Sequence, residues 1–238
     1  MKTNDKRPDK LSGIIFDFNG VLLWDDALQR RSWRQFSARY RQAPLSDAEI
    51  DLHVRGRTNP YTLAYLLGHP LNPQEVERLS EEKERIYRQM CLDLGPDFQL
   101  SPGAVDTLAG LAVQGIPRTI ATSSGEANVD FFVAHLQLGK WFEVEQIVCD
   151  GGRFPGKPAP NIFLHAARKL GLDPAQCVVV EDSSSGIEAA RRAGIGHIIA
   201  LGPKDQHNAL GRTPGVSQVI EHLGQLRVQE LFNGRLES

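Results

Sequence analysis

The sequence predicts an α/β fold, a parallel β-sheet covered by helices on both faces, with a helical bundle inserted after the first strand. Three observations predict it. The apolar run Ile14-Ile15-Phe16 carries straight into Asp17, with Gly20 three residues on, and an apolar run bounded by a turn signal reads as a fully buried strand. From Leu100 onward, short β-branched runs alternate with stretches of helical periodicity, the pattern of strands joined by crossover helices. Between these regions, residues 24–99 hold hardly any β-branched clusters and are rich in Arg, Glu, Gln and Leu. The expected division is therefore a core of residues 1–23 and 100–238, interrupted by a helical domain of residues 24–99.

The first strand places Asp17 at its carboxyl end, where ligands gather in an open parallel sheet. Gly20 lets the backbone turn away from it. Asp and Gly are also ordinary turn residues, so this pair gains weight only from the ends of the later strands. In the insert, Trp33, Phe36 and Tyr40 recur at helical spacing. So do Val76, Leu79, Lys83, Ile86, Met90 and Leu94, the stem of Lys83 covering the one polar position. Pro44, Pro60, Pro70 and Pro73 fall at helix starts or loops, giving a bundle of about four helices. Arg30, Arg31, Arg34, Arg39 and Arg41 read as a solvated face rather than an anion-gathering surface.

Ser101-Pro102-Gly103 opens the next helix, with a serine cap and a proline in the first turn. Val105, Leu108, Leu111 and Ala112 mark one face, and Gly115 stops it. A strand from Arg118 to Thr122 runs into Ser123 and Ser124. Beyond it lie a helix from Glu126 to Leu138, a strand from Val144 to Cys149 and an irregular Gly- and Pro-rich loop from Asp150 to Pro160. Next come a helix from Asn161 to Leu170 and the strand Cys177–Val180, which ends in Glu181-Asp182. The helix Ser185–Ala193 turns Ile187, Ala190 and the stem of Arg191 inward, and a strand spans Gly196–Ala200. A helix, a short strand from Val216 to Ile220 and a last helix through Phe232 complete the chain.

Composition narrows the function classes. An apolar fraction of 41% and a charged fraction of 24% describe a globular protein able to bury a core. Lys and Arg total 27 against 29 Asp and Glu, which argues against a general nucleic-acid binder. No apolar stretch approaches membrane-spanning length. Met1 to Lys10 is polar, lacks the apolar run of a signal peptide and reads as a loose tail. Cys91, Cys149 and Cys177 are too scattered for a disulfide framework or a zinc site, and they suit a reducing cytoplasm.

If the strands are parallel, Asp17, Thr122-Ser123, the loop bearing Lys157 and Glu181-Asp182 all share one sheet edge. Taken singly, Thr122 or Asp182 suits a helix cap and Lys157 a loop charge. The agreement of four strand ends is what points to chemistry. Several carboxylates together are costly unless a cation joins them. Ligands that are all oxygen suit a hard ion such as magnesium. Hydroxyls, strand-end amides and a lysine suit a phosphoryl group.

With these residues in place, the sequence resembles the haloacid dehalogenase superfamily, and within it the branch of β-phosphoglucomutase and related small phosphatases. Asp17-Phe18-Asn19-Gly20-Val21-Leu22 resembles the first family motif and Thr122-Ser123-Ser124 the second. Gly156-Lys157-Pro158-Ala159-Pro160 resembles the third, and Glu181-Asp182-Ser183-Ser184-Ser185-Gly186-Ile187 the fourth. The resemblance implies a Rossmann-like core with a helical cap that closes over the site. It implies an aspartyl-phosphate formed on Asp17, and magnesium held by Asp17, the backbone carbonyl of Asn19, Asp182 and Glu181. It implies phosphoryl contacts from Thr122, Ser123, Ser124 and Lys157, and substrate contacts from Arg57 and Asn59 within Gly56-Arg57-Thr58-Asn59.

Asn19 departs from the pattern, because the family's phosphatases carry a second aspartate there as general acid and base. An amide does not exchange a proton at neutral pH. Three readings stay open: a slow phosphatase served by good leaving groups or bound water, an altered function, or a near-isosteric substitution introduced at this position. Trp24 stands where the family often has an aspartate, and Gln29 and Asn59 stand where β-phosphoglucomutase has a cap histidine and a cap arginine, which counts against a mutase. The expectation is a magnesium-dependent hydrolase of a small phosphate ester, compatible with a monomer and acting on neither nucleic acid nor membrane. A phosphoester-binding protein with impaired turnover and a sugar-phosphate mutase are the alternatives.

Overall fold

The computed structural model describes residues 10–54, 57–151 and 154–233. The expected tail lies outside them except for Lys10, as do Gly56, Gly152 and Arg153. The chain divides into two compact units, Met1–Trp24 with Leu100–Ser238, and Asp25–Gln99.

The first unit is built on six parallel strands: β1 (Gly13–Phe16), β2 (Arg118–Thr122), β3 (Val148–Cys149), β4 (Cys177–Glu181), β5 (His197–Leu201) and β6 (Val216–Ile220). Their order across the sheet is β3-β2-β1-β4-β5-β6. Register pairs Ile15 with Thr119 on one side and with Val179 on the other. Strands buried on both faces need apolar residues at every position, and β1 and β4 are buried throughout. Ile15 and Val179 face a cluster completed by Ile162, Phe163, Ala166 and Ile187. These last come from α7 (Asn161–Lys169) and α8 (Ser184–Arg192). Phe16 packs edge-on against Phe142 at 6.3 Å. Each such fully buried side chain contributes roughly 1.5–3 kcal/mol.

The remaining helices of this unit are α5 (Ala104–Val113), α6 (Glu126–His135), α9 (His207–Gly211) and α10 (Val228–Asn233). Three details differ from the sequence reading. The segment from Val144 opens as a 3-10 turn over Val144–Gln146, and only Val148–Cys149 is strand. As an edge strand, β3 finds partners only at Ala121 and Thr122, and the Thr119 hydroxyl ties down the Gln146 carbonyl just before it. Ser101 does not cap α5. It is buried and donates to the Val21 carbonyl at 2.6 Å, and Gly103 takes the cap position. Arg191 is exposed and pairs with Glu188 rather than facing inward.

The second unit comprises α1 (Asp26–Ser37), α2 (Asp47–His53), α3 (Asn59–Leu67) and α4 (Pro73–Asp93). Trp33, Phe36, Leu63, Leu79, Ile86 and Met90 form its core. Capping boxes start α2 (Ser46 with Glu49) and α4 (Asn72 with Glu75), each worth about 1 kcal/mol. Four of the five arginines singled out in the sequence are stitched to acids of this unit. Arg30 pairs with Asp26 and Asp51, Arg34 with Asp47, Arg39 with Glu82 and Arg41 with Glu49. Lys83 goes deeper than a stem. Its residue is 2% exposed and its ammonium is held by Gln29 at 2.6 Å and Glu84 at 3.0 Å. No helix among the described residues is long and apolar enough to cross a membrane.

Candidate active site

The chain leaves β1 for β2 and β3 on one side, then returns to lay β4 on the other side of β1. Such a reversal opens a crevice at the carboxyl ends of the two strands. Asp17 follows β1 directly, and Glu181 ends β4 with Asp182 next. Ligand oxygens of these three carboxylates lie within 4.8 Å of one another. The backbone at Asp17 is fixed by its N–H donating to the Val180 carbonyl at 3.0 Å.

Two glycines make this approach feasible. Gly20 has φ +84°, and a side chain there would press its Cβ to 2.3 Å from Asp182 Oδ2. A Cβ at Gly186 would sit 2.0 Å from the Glu181 carboxyl carbon. Ser183 caps α8 through the Gly186 N–H at 3.0 Å. Its own N–H and hydroxyl donate to Glu181 Oε1 at 3.1 and 2.7 Å. Asp182 is therefore not the helix cap that a purely structural account of it requires.

Lys157 reaches into the same cluster from the loop after β3. Its Nζ donates to Asp17 Oδ1 at 2.9 Å and to Glu181 Oε2 at 2.7 Å. Its side chain is 8% exposed, and Asp17 and Glu181 are buried as well. Burial first, and then the neighbouring Glu181, push the Asp17 carboxyl up to about 7, against the pull of Lys157. Burial works against the Lys157 charge, but the two carboxylates outweigh it and hold the ammonium above its ordinary range. The cluster thus gathers more carboxylates than the one ammonium bridging Asp17 and Glu181. All its donors to a metal are oxygen, which fits a hard divalent cation. Glu181 spends one oxygen on Ser183 and the other on Lys157, so Asp17 and Asp182 are the better placed ligands.

The end of β2 supplies hydroxyls. Thr122 is buried and its Oγ1 accepts the Ser124 N–H at 3.1 Å, while Ser123 is exposed. Gly125, not Thr122, caps α6. The Ser124 hydroxyl donates to Asn19 Oδ1 at 3.0 Å, which ties the second motif to the first. Arg57 and Asn59 belong to the helical unit. The Arg57 guanidinium lies 5.1 Å from the Tyr61 ring centroid, and the Asn59 amide donates to Glu84 at 3.1 Å.

Sequence reasoning gave no role to Ser183 or Asp150. Asp150 is 6% exposed. Its N–H donates to the Thr122 carbonyl and its Oδ1 accepts the Phe154 N–H, both at 2.9 Å, so it fastens the start of the Lys157 loop to β2. Asp150 was visible only as the residue one step beyond the run ending at Cys149, and Ser183 stood inside the fourth motif without a part of its own.

Comparisons with known proteins bear on the family and the fold. The family model for haloacid dehalogenase-like hydrolases matches residues 11–194. The chain is 31% identical over 189 residues to the fructose-1-phosphate phosphatase YqaB of Escherichia coli (strain K12), covering 79% of this chain and 95% of that protein. It is 29% identical over 201 residues to the phosphorylated carbohydrates phosphatase of Thermotoga maritima, covering 80% and 85%. Among solved structures, a HAD hydrolase of family IA, variant 3, from Entamoeba histolytica superposes with a TM-score of 0.86 at 34% identity, covering 93% of this chain and 98% of that one.

Proposed function

Taking as premise that the chain belongs to the haloacid dehalogenase-like hydrolases, we propose that it is a magnesium-dependent phosphatase of small phosphate esters, phosphorylated carbohydrates being the first class to try. The observation that carries this reading is Lys157 bridging Asp17 and Glu181 beside Asp182 at the switch point of the sheet. Nothing in folding calls for three carboxylates to converge there, and like charges so close together destabilise one another.

In this reading an Asp17 carboxylate oxygen attacks phosphorus, the bond from phosphorus to the leaving oxygen breaks, and water later releases phosphate from Asp17. Lys157 offsets the repulsion between the anionic ester and the carboxylate and draws on the phosphoryl oxygens as charge spreads over them. Thr122 and the neighbouring strand-end amides hold those oxygens in place. Asp17, Asp182 and the Asn19 backbone carbonyl would hold magnesium, with Glu181 orienting Lys157 rather than leading the ligand set. When bound, the ion neutralises phosphoryl charge and favours the ionised form of Asp17. Asn19 lacks the proton chemistry of an acid, and general acid–base help is worth roughly 10²–10⁴ in rate.

The test is phosphate release from a panel of sugar and polyol phosphates, with magnesium and with chelator. Turnover that chelator removes, and that Asp17→Asn abolishes, is the expected result. Turnover surviving Asp17→Asn would end the aspartyl-phosphate mechanism. The Asn19 side chain also favours a second reading, a phosphoester-binding protein with little turnover. Saturable binding of the same esters without release of phosphate would select it.

A further inference from the structure

β3 pairs with β2 only at Ala121 and Thr122. So short a strand does little to fix the loop that follows it, and that loop carries Lys157. Asp150 stands at the junction and is 6% exposed. Its backbone N–H continues the ladder to the Thr122 carbonyl at 2.9 Å. Its side-chain Oδ1 accepts the Phe154 N–H, also at 2.9 Å, and folds the chain back. Phe154 then packs on the apolar cluster that holds Ile162 and Phe163, with its ring 5.3 Å from that of His165. Further along the loop, the Lys157 ammonium lies 5.1 Å from the Phe163 ring centroid while it bridges Asp17 and Glu181. Beside Asp150 the two loops run against each other, since a Cβ at Gly125 would meet the Gly151 Cα at 3.9 Å. Burying a carboxylate costs free energy, and at Asp150 the buried group is spent on the geometry of one loop. The backbone half of this clasp survives any substitution, whereas the half that reaches Phe154 depends on the side chain.

We infer that Asp150 is a positioning residue for phosphoryl transfer: through Phe154 its side chain sets where Lys157 stands, and so how tightly the site grips a phosphoryl group. This rests on the phosphatase reading and adds to it a residue outside the cluster of Asp17, Glu181, Asp182 and Lys157. Small displacements of a group that must meet a reacting phosphoryl oxygen are costly in rate. Asp17 and Asp182 follow β1 and β4, strands buried throughout and independent of the β3 loop. Loosening the clasp at Asp150 therefore separates two properties of the site. The hold on phosphate weakens with the placement of Lys157, and the hold on magnesium stays.

The experiment compares the unmodified protein with Asp150→Ala, Asp150→Asn, Gly151→Ala, Lys157→Met and the double variant Asp150→Ala with Lys157→Met. Calorimetry reads magnesium binding, and inorganic phosphate binding with magnesium present. Turnover is read on the fastest ester of the sugar and polyol phosphate panel. Asp150→Ala should weaken phosphate binding and kcat by about tenfold each, with magnesium affinity within about twofold of the unmodified value. Asp150→Asn keeps an oxygen for the Phe154 N–H and should restore most of both losses. Gly151→Ala strains a turn at φ +51° with Asp150 in place. It should weaken phosphate and spare magnesium in the same way, and it decides the question should Asp150→Ala fail to fold. With Lys157→Met already present, Asp150→Ala should change kcat by less than about twofold, because no ammonium is left to place. Unchanged phosphate binding, magnesium and phosphate weakened alike, Asp150→Asn as impaired as Asp150→Ala, or full additivity with Lys157→Met would each overturn the inference and leave the phosphatase reading standing. An unmodified protein that binds phosphate but releases none from any ester would end the phosphatase reading, and the binding measurements would still judge Asp150. Neither binding nor turnover would remove both.

Discussion

Each unit of the molecule buries a lysine, and the two burials differ in kind. In the sheet unit, Lys157 bridges the carboxylates of Asp17 and Glu181, with Asp182 in the same cluster. In the helical unit, Lys83 meets one carboxylate, Glu84, one amide oxygen, Gln29, and the Trp33 and Tyr87 rings, each centroid 5.2 Å away. Beside it, Asp25 accepts from the Tyr87 hydroxyl at 2.6 Å and from the Gln29 amide at 3.0 Å. The helical network spreads its charge over neutral dipoles and ring faces, as a structural network must to be stable. The strand-end cluster concentrates like charges that only a cation or an anionic ligand held by Lys157 makes worthwhile. A buried charge alone does not mark a site of chemistry; an excess of one sign at converging strand ends does.

Exchanging each lysine for a methionine of similar length is the sharpest way to break this contrast. Lys157→Met should lower kcat by roughly 10²–10³, measured as magnesium-dependent phosphate release. Lys83→Met should leave Glu84 and Gln29 without their shared donor and cost roughly 3 kcal/mol of stability, read from the urea midpoint. A Lys83 variant with full stability and lost turnover would put this residue among the working groups and undo the comparison. Tyr87→Phe removes one donor from the buried Asp25 and should cost about 1–2 kcal/mol, again by urea midpoint, with kcat unmoved.

The smallest effect concerns Glu49, whose carboxyl is held down to about 2 by the Ser46 backbone N–H first, and then by Arg41, the Ser46 hydroxyl and Tyr65. A carboxyl lowered in the folded state stabilises above its unfolded value and loses that contribution as pH falls through the folded one. The advantage of the unmodified protein over Glu49→Gln in thermal midpoint should therefore be full at about pH 5 and close by about pH 2. A gap that is constant over that range would remove Glu49 from the charge balance of the helical unit.

The parts of this site that were legible in the sequence are those where one residue carries its own context. Asp17, Thr122 and Glu181 each end an apolar run, and a buried strand with a polar terminus has few other uses. Of the four inserted helices, α1 and α4 were legible because Trp33 and Phe36, and Leu79 and Ile86, keep a helical period. Pairings across long separations were not. Nothing local says that Lys157 bridges Asp17 and Glu181, or that Ser124 turns to Asn19. Periodicity put Lys83 on the inner face without saying how deep, because a stem covering a core and a charge inside it share the same spacing. The segment before Cys149 looked like a longer strand because β-propensity cannot see that an edge offers β2 only two places to pair.

The position of β1 has a consequence for how the protein is made. It is the earliest strand among the described residues and lies in the interior of the sheet, between β2 and β4. Its flanking partners begin at Arg118 and Cys177, so on a ribosome the apolar run before Asp17 emerges roughly 100 residues ahead of the first strand able to cover it. The inserted helices, whose contacts lie close together in the chain, have that interval in which to collapse by themselves. Until β4 emerges, Ile14, Ile15 and Phe16 form a sticky segment with bare edges, the kind that chaperones hold. The strand that leads into Asp17 is thus also the one most exposed to misassembly during synthesis, and slowing translation between β1 and β4 should lower the yield of soluble protein more than slowing it after β5.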